Sequence, residues 1–220
     1  AYMDAYLAQE ESAKHLQTCR EESYEQYRKV SLYRRKCDDN EDAGNSIKDC
    51  RASSCSAEDC KDAGYSAKDY RAAGFSALHC NLAGNSAEDC KIAGYSTKNC
   101  KDAGYSVKDC MDAGFSVHHC KAVGYSAKDY KLAGYSAQCC ANAGYSAKDC
   151  KDAGYSTKDC KDAGYSAEDC KAAGFAANDC QDAGYPAWRM KYAGYSAKDF
   201  KDAGYRALHC YFAGYSAKEC

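Results

Sequence analysis

The stretch Ser146-Ala147-Lys148-Asp149-Cys150-Lys151-Asp152-Ala153-Gly154-Tyr155 decides how this chain folds. Serine is a favoured helix N-cap, because its hydroxyl accepts from the open amides of the first turn. Asp149 stands three residues on, at the capping-box position, where it also sets negative charge against the positive end of the helix dipole. The spacing predicts a helix of about seven residues from Ala147. Gly154 then falls at C′, where a left-handed residue ends a helix. Tyr155 falls at C″, so a Schellman ending brings it to Cys150. Tyr155 also precedes Ser156, and a hydrophobic staple brings it to Cys160 of the next helix. One ring is thus expected to join two consecutive helices.

From Glu41 to Cys220 the chain is eighteen copies of this unit. All 17 glycines fall at position four, with Ser54 the one exception in register. Serine fills position six in fifteen copies, and Tyr or Phe fills position five in fifteen. A fixed short period is the signature of a repeat architecture. In each helix the apolar positions recur at i, i+3 and i+6, one stripe of the surface. A helix this short is marginal alone, so it must be stabilised by stacked neighbours. The expected fold is an all-α solenoid of about eighteen short helices. Position two supports pairing into 20-residue helical hairpins, since it reads Asp42, Ala52, Asp62, Ala72 early and Asp182, Tyr192, Asp202, Phe212 late. Leu82, Ile92, Asp102 and Asp112 break that alternation, which leaves a coil of three or four helices open. A 3₁₀- or β-type coil of ten residues is the remoter rival, because β-branched residues are few.

Residues 1–40 lie outside the repeat. Leu16, Cys19, Tyr27, Val30, Tyr33 and Cys37 recur at a spacing near 3.5 in a polar background. This reads as an amphipathic helical segment. It serves either as the cap that a solenoid requires or, over residues 1–37, as a docking helix for a partner. Two domains follow: residues 1–40 as cap or docking segment, and 41–220 as the repeat array.

Thirty basic and 32 acidic side chains leave a net charge of −2. That balance gives no electrostatic case for binding nucleic acid or an anionic membrane surface. No apolar run is long enough to span a bilayer. The chain opens on Ala1, consistent with a processed form or a fragment. Fourteen of the 18 cysteines occupy position ten, which is otherwise filled by Tyr70, Tyr130, Met190 and Phe200. A position that accepts those residues is a packing site, and cysteine there behaves as a small hydrophobe. This favours reduced thiols in the cytoplasm or an organelle. The competing disulfide ladder requires an oxidising compartment.

Nothing in the pattern forms a catalytic set. His79-Cys80, His119-Cys120 and His209-Cys210 are neighbours on a helix, about 100° apart, and lack metal-ligand spacing. Cys139-Cys140 is a single vicinal pair. The serine–aspartate pairs recur as caps, whereas a catalytic nucleophile has one base and one orienter. The expectation is no enzyme, no cofactor and no metal. The departures from the repeat at surface positions are Leu78 with Leu82, Met111, Val117, Trp188 with Tyr192, and Leu208 with Tyr211 and Phe212. Exposed aromatic clusters are the usual composition of binding hot spots. Trp188, Tyr192, Leu208, Tyr211, Phe212, Leu78 and Leu82 are therefore the candidate partner-binding residues.

The recurring Ala-Gly-Tyr-Ser-Ala-Lys-Asp-Cys resembles a class of decapeptide-repeat proteins with Ala-Gly-Tyr/Phe-Ser-Ala-x-x-Leu copies, seen among algae, dinoflagellates and other protists. The likeness covers residues 41–220 and departs in placing Cys where Leu is common. It implies a helical array without an activity, in the setting of an accessory subunit of a large organellar assembly. The expected function is a non-enzymatic scaffold that binds or braces other protein subunits, as in photosynthetic or respiratory complexes. One alternative is an extracellular structural or filament-forming protein cross-linked through Cys and Tyr. Another is a reader of extended ligands through positions one, two and eight.

Overall fold

The computed structural model describes residues 47–48, 60–61, 63–216 and 218–219. The proposed cap or docking helix in residues 1–40 lies outside the described residues. Among the described residues the chain forms fifteen α-helices and no strand, so the 3₁₀- or β-type coil is set aside. The helices begin at Ala67 and at every tenth residue thereafter, and end with Ala207–Ala213.

The helix Ala147–Asp152 shows how each unit is built. Its N-cap Ser146 is extended, with φ −78° and ψ 163°. The Ser146 amide donates to Asp149 Oδ2 at 2.8 Å, and the Asp149 amide donates back to Ser146 Oγ at 3.1 Å. That reciprocal box is the one expected from the spacing. The helix is six residues long and not seven, because Ala153 serves as its C-cap. The Gly154 amide then donates to the Lys151 carbonyl at 2.8 Å, and the Tyr155 amide to the Cys150 carbonyl at 2.9 Å. These are the two Schellman bonds, and they require the left-handed φ of 87° that Gly154 adopts.

The chain divides into two compact units, Ala1–Gly104 and Tyr105–Cys220. In each, helices pack on their next-but-one neighbours. In the first unit Ala67–Ala72 packs on Ala87–Ile92, and Ala77–Leu82 on Thr97–Asp102. In the second, Ala137–Asn142 packs on Thr157–Asp162, and Ala147–Asp152 on Ala167–Ala172. Within each unit the coil therefore has twenty residues and two helices, the period read from position two.

Position ten is the core. Cys80, Cys120 and Cys150 are fully buried, as are Tyr70, Tyr130, Met190 and Phe200 in the same register. The position-five ring meets the position-ten residue before it, as the Schellman ending requires: Tyr70 to Phe75 is 5.5 Å between centroids, and Phe200 to Tyr205 is 4.5 Å. Its hydroxyl does something further. It crosses to the preceding coil and donates to the backbone carbonyl twenty residues earlier. Tyr95 reaches Phe75 at 2.7 Å, Tyr165 reaches Tyr145 at 2.6 Å, and Tyr195 reaches Phe175 at 2.8 Å. The same oxygens touch the sulfur fifteen residues back, at 3.4 Å for Cys150–Tyr165 and 3.1 Å for Cys180–Tyr195. A buried phenol needs a partner, and the coil below supplies it.

A second tie runs along the outside. The Lys161 ammonium donates to the Ala183 and Gly184 carbonyls, both at 2.8 Å, and stands 5.6 Å from the centre of the Tyr185 ring. Lys121, Lys131, Lys151 and Lys191 cap Gly144, Gly154, Gly174 and Gly214 in the same way. Each cation meets the negative end of the helix in the next coil and the face of its aromatic residue.

Candidate protein-binding surface

The helices Ala187–Tyr192 and Ala207–Ala213 belong to adjacent coils of the same layer and pack on each other. Both break the repeat at the same places. The N-cap serine is replaced by Pro186 and Arg206, and neither helix has a side-chain cap. The capping aspartate becomes Arg189 and His209. Losing a cap costs about 1 kcal/mol per helix. What appears instead is outward apolar surface. Trp188 is 49% exposed, Tyr192 80%, Leu208 60%, Tyr211 66% and Phe212 71%.

These side chains are grouped. Trp188 and Tyr192 lie one turn apart, with an edge-to-face contact at 6.2 Å. Leu208 and Phe212 repeat that register one coil on, and Tyr211 packs edge-on to Phe212 at 6.1 Å. The Arg189 guanidinium lies over the Trp188 ring at 5.2 Å. Neither helix carries a carboxylate, while Arg189, Lys191, Arg206 and His209 supply positive or titratable charge. Trp, Tyr and Arg are the residues over-represented at binding hot spots.

A family model for the decapeptide repeat region matches residues 35–97, 84–157 and 154–220. The chain belongs to the decapeptide repeat family. No curated protein and no solved structure matches it.

The structure sorts the remaining departures of this decapeptide array. Leu78 and Leu82 are exposed on one helix of the first unit. The coil packed on that helix carries Lys98 and Asp102 in the same register, so the pair stands without an apolar row beside it. Met111 and Val117 are half-buried and do not belong to the outer surface. Val117 sits at the core alanine position, and its carbonyl accepts from the Tyr130 hydroxyl at 2.9 Å. Ile92 and Leu132 are exposed too. Position two carries both, and their apolar character at an aspartate or alanine position was the available signal.

Several of the chemistry-bearing groups make structural contacts. The His79 ring contacts the Ser76 hydroxyl at 2.9 Å, in place of the missing aspartate. Cys80, Cys120, Cys140, Cys150, Cys160, Cys170 and Cys180 are buried and free, and Cys139 is half-buried. Burial pushes Cys120 up to about 11 and Tyr145 up to about 12. Both stay neutral at ordinary pH, as packing groups do. The cap carboxylates of Asp149 and Asp159 are held below the usual range by hydrogen bonds from the serine hydroxyl and amide. Among the described residues no group of three metal-capable side chains comes together, and no helix is long and apolar enough to cross a membrane.

Proposed function

We propose that this decapeptide array is a non-enzymatic scaffold that binds or braces other proteins, as an accessory subunit of a large multi-protein assembly in an organelle. The observation that carries the reading is the aromatic block of Trp188, Tyr192, Leu208, Tyr211 and Phe212 on two stacked helices that have surrendered their caps. A monomer seldom leaves such a patch unused. Within each unit the rest of the surface supports the same role, since stacked coils present a regular face of interleaved charge. Cross-linking through side chains finds little to work with. Among the described residues the position-five tyrosines are buried or half-buried, and the position-ten cysteines are buried.

The test is a comparison of native complexes. Trp188→Lys and Phe212→Lys, introduced together, should release the protein from the assembly it fractionates with, while leaving its far-ultraviolet spectrum unchanged. An unaltered native complex would remove this surface from the proposal.

A further inference from the structure

We propose that the aromatic block of one copy takes residues 1–27 of a second copy, joining chains head to tail. This rests on reading the block as a protein-binding surface and names its occupant. Leu208, Tyr211 and Phe212 stand at i, i+3 and i+4 on one helix, and Trp188 with Tyr192 continues the surface on the adjacent coil. Taking about 200 Å² for an aromatic side chain, the four exposed rings present on the order of 500 Å². Leu208 and the rim bring this toward the ~800 Å² that each partner gives to a standard interface. Arg189, Arg206 and His209 border it without a carboxylate on either helix. An apolar block with a cationic border fits an amphipathic segment with one apolar stripe and an acidic flank.

Residues 1–27 have that composition. Asp4, Glu10, Glu11, Glu21, Glu22 and Glu25 stand against Lys14 and Arg20, with Leu16, Cys19 and Tyr27 on the near-3.5 spacing. The sign reverses directly afterwards at Arg28, Lys29 and Arg34-Arg35-Lys36, which marks where a cationic surface stops being complementary. The other acid-rich stretch, Asp38 to Asp62, falls mostly within the decapeptide register, where Asp49 and Asp59 occupy the cap position. A bilayer is the poorer occupant, since the chain's net charge of −2 gives no long-range pull toward an anionic surface. Donor segment and acceptor block are different surfaces, so the contact is heterologous. A copy that has given its segment still offers its block, and chains extend.

Two full-length variants test this. One carries Tyr192→Lys and Phe212→Lys in the block; the other carries Glu21→Lys, Glu22→Lys and Glu25→Lys in the segment. Sedimentation of the wild type should show concentration-dependent association, weakened tenfold or more by 0.5 M salt. Each variant alone should stay monomeric, and their mixture should form a one-to-one dimer. Trp188 is the chain's one tryptophan, so its emission reports on the block directly. A synthetic peptide of residues 1–27 should move that emission to shorter wavelength in the wild type and leave the block variant unchanged, which keeps the test open should a triple variant misfold. A mixture that stays monomeric overturns the proposal. So does a segment variant that associates like the wild type, a Trp188 emission indifferent to the peptide, or one that responds to anionic phosphatidylglycerol vesicles alone. If the proposal falls while Trp188→Lys with Phe212→Lys still releases native partners, the scaffold reading stands.

Discussion

Tyr195→Phe keeps the ring in the coil interface and removes a single oxygen. Tyr195 is 3% exposed, its hydroxyl donates to the Phe175 carbonyl at 2.8 Å, and it lies 3.1 Å from Cys180 Sγ. The sulfur contact is weak, so the carbonyl bond carries the effect. A neutral hydrogen bond contributes about 1 kcal/mol net, and a buried acceptor left without its donor costs about 1–3 kcal/mol. The expected loss is therefore about 1–2 kcal/mol, borne by one coil-to-coil interface. In a unit of this size that is roughly 5 °C in melting temperature. Thermal denaturation followed by circular dichroism reads the global effect. Hydrogen exchange reads the local one, since repeat arrays open segment by segment. Protection should fall in the helices flanking Phe175 and Tyr195 and hold elsewhere. The array already uses Phe75, Phe115 and Phe175 at this position, so the reverse change Phe175→Tyr should stabilise by about 0.5–1 kcal/mol. Equal stability of Tyr195→Phe and wild type would refute the claim that the hydroxyl ladder ties coil to coil.

Further outcomes follow from the same geometry. Ala141 stands where other units place the capping lysine, and a side chain built at Gly164 would meet nothing within 4 Å. Ala141→Lys should raise stability by about 0.5–1 kcal/mol through the Gly164 carbonyl and the Tyr165 face, measured by urea denaturation. The cap carboxylates of Asp149 and Asp159 have folded pKa values below their unfolded ones. Their contribution is present above about pH 4, and is lost as pH falls through the folded values. Melting temperature should drop below pH 4, and Asp159→Asn should flatten that drop. Cys139 is half-buried beside the buried Cys140. Cys139→Ser should remove one equivalent from the fast phase of thiol labelling in the native protein, while the buried thiols react only at the rate of local opening.

The local fold was legible because each element of the unit has one physical reading. Serine, aspartate three on, and glycine eight on fix the start and end of a helix within a residue. The exchange of Cys80 for Tyr70 or Phe200 in one register identifies the core position without any three-dimensional knowledge. The coil period was visible only where position two alternates, and it was obscured where Leu82, Ile92 and Leu132 sit on the outer face. The tyrosine hydroxyl bonds were not legible, since a residue twenty positions away becomes a neighbour only after the coil has closed. The lysine ties were hidden for the same reason: the partner carbonyl is 23 residues along. Val117 was misplaced because its size drew attention and its register, that of the core alanine, did not.

The candidate surface was legible by the opposite route, as a failure of the rules that explain everything else. A capping box stabilises each helix locally, and nine of the described helices keep serine with aspartate or asparagine in full reciprocal contact. The helices at Trp188 and Leu208 give up both the serine and the acid. Each also exposes large side chains where the consensus places lysine or aspartate. Three departures at fixed register, in two helices that touch, are hard to obtain by drift at independent positions. A change that only weakened the array would fall on any unit. Single losses do fall elsewhere, since Ala77–Leu82, Ala137–Asn142 and Ala177–Asp182 also lack a side-chain cap, but among the described helices the double loss of serine and acid falls on the two that carry the apolar block. That coincidence of lost caps and gained surface is what motivates the proposed binding role. Arg206→Ser with His209→Asp should stabilise the last full helix by about 1 kcal/mol, read by thermal denaturation, while the added negative charge lowers the affinity of the block for the proposed acidic segment.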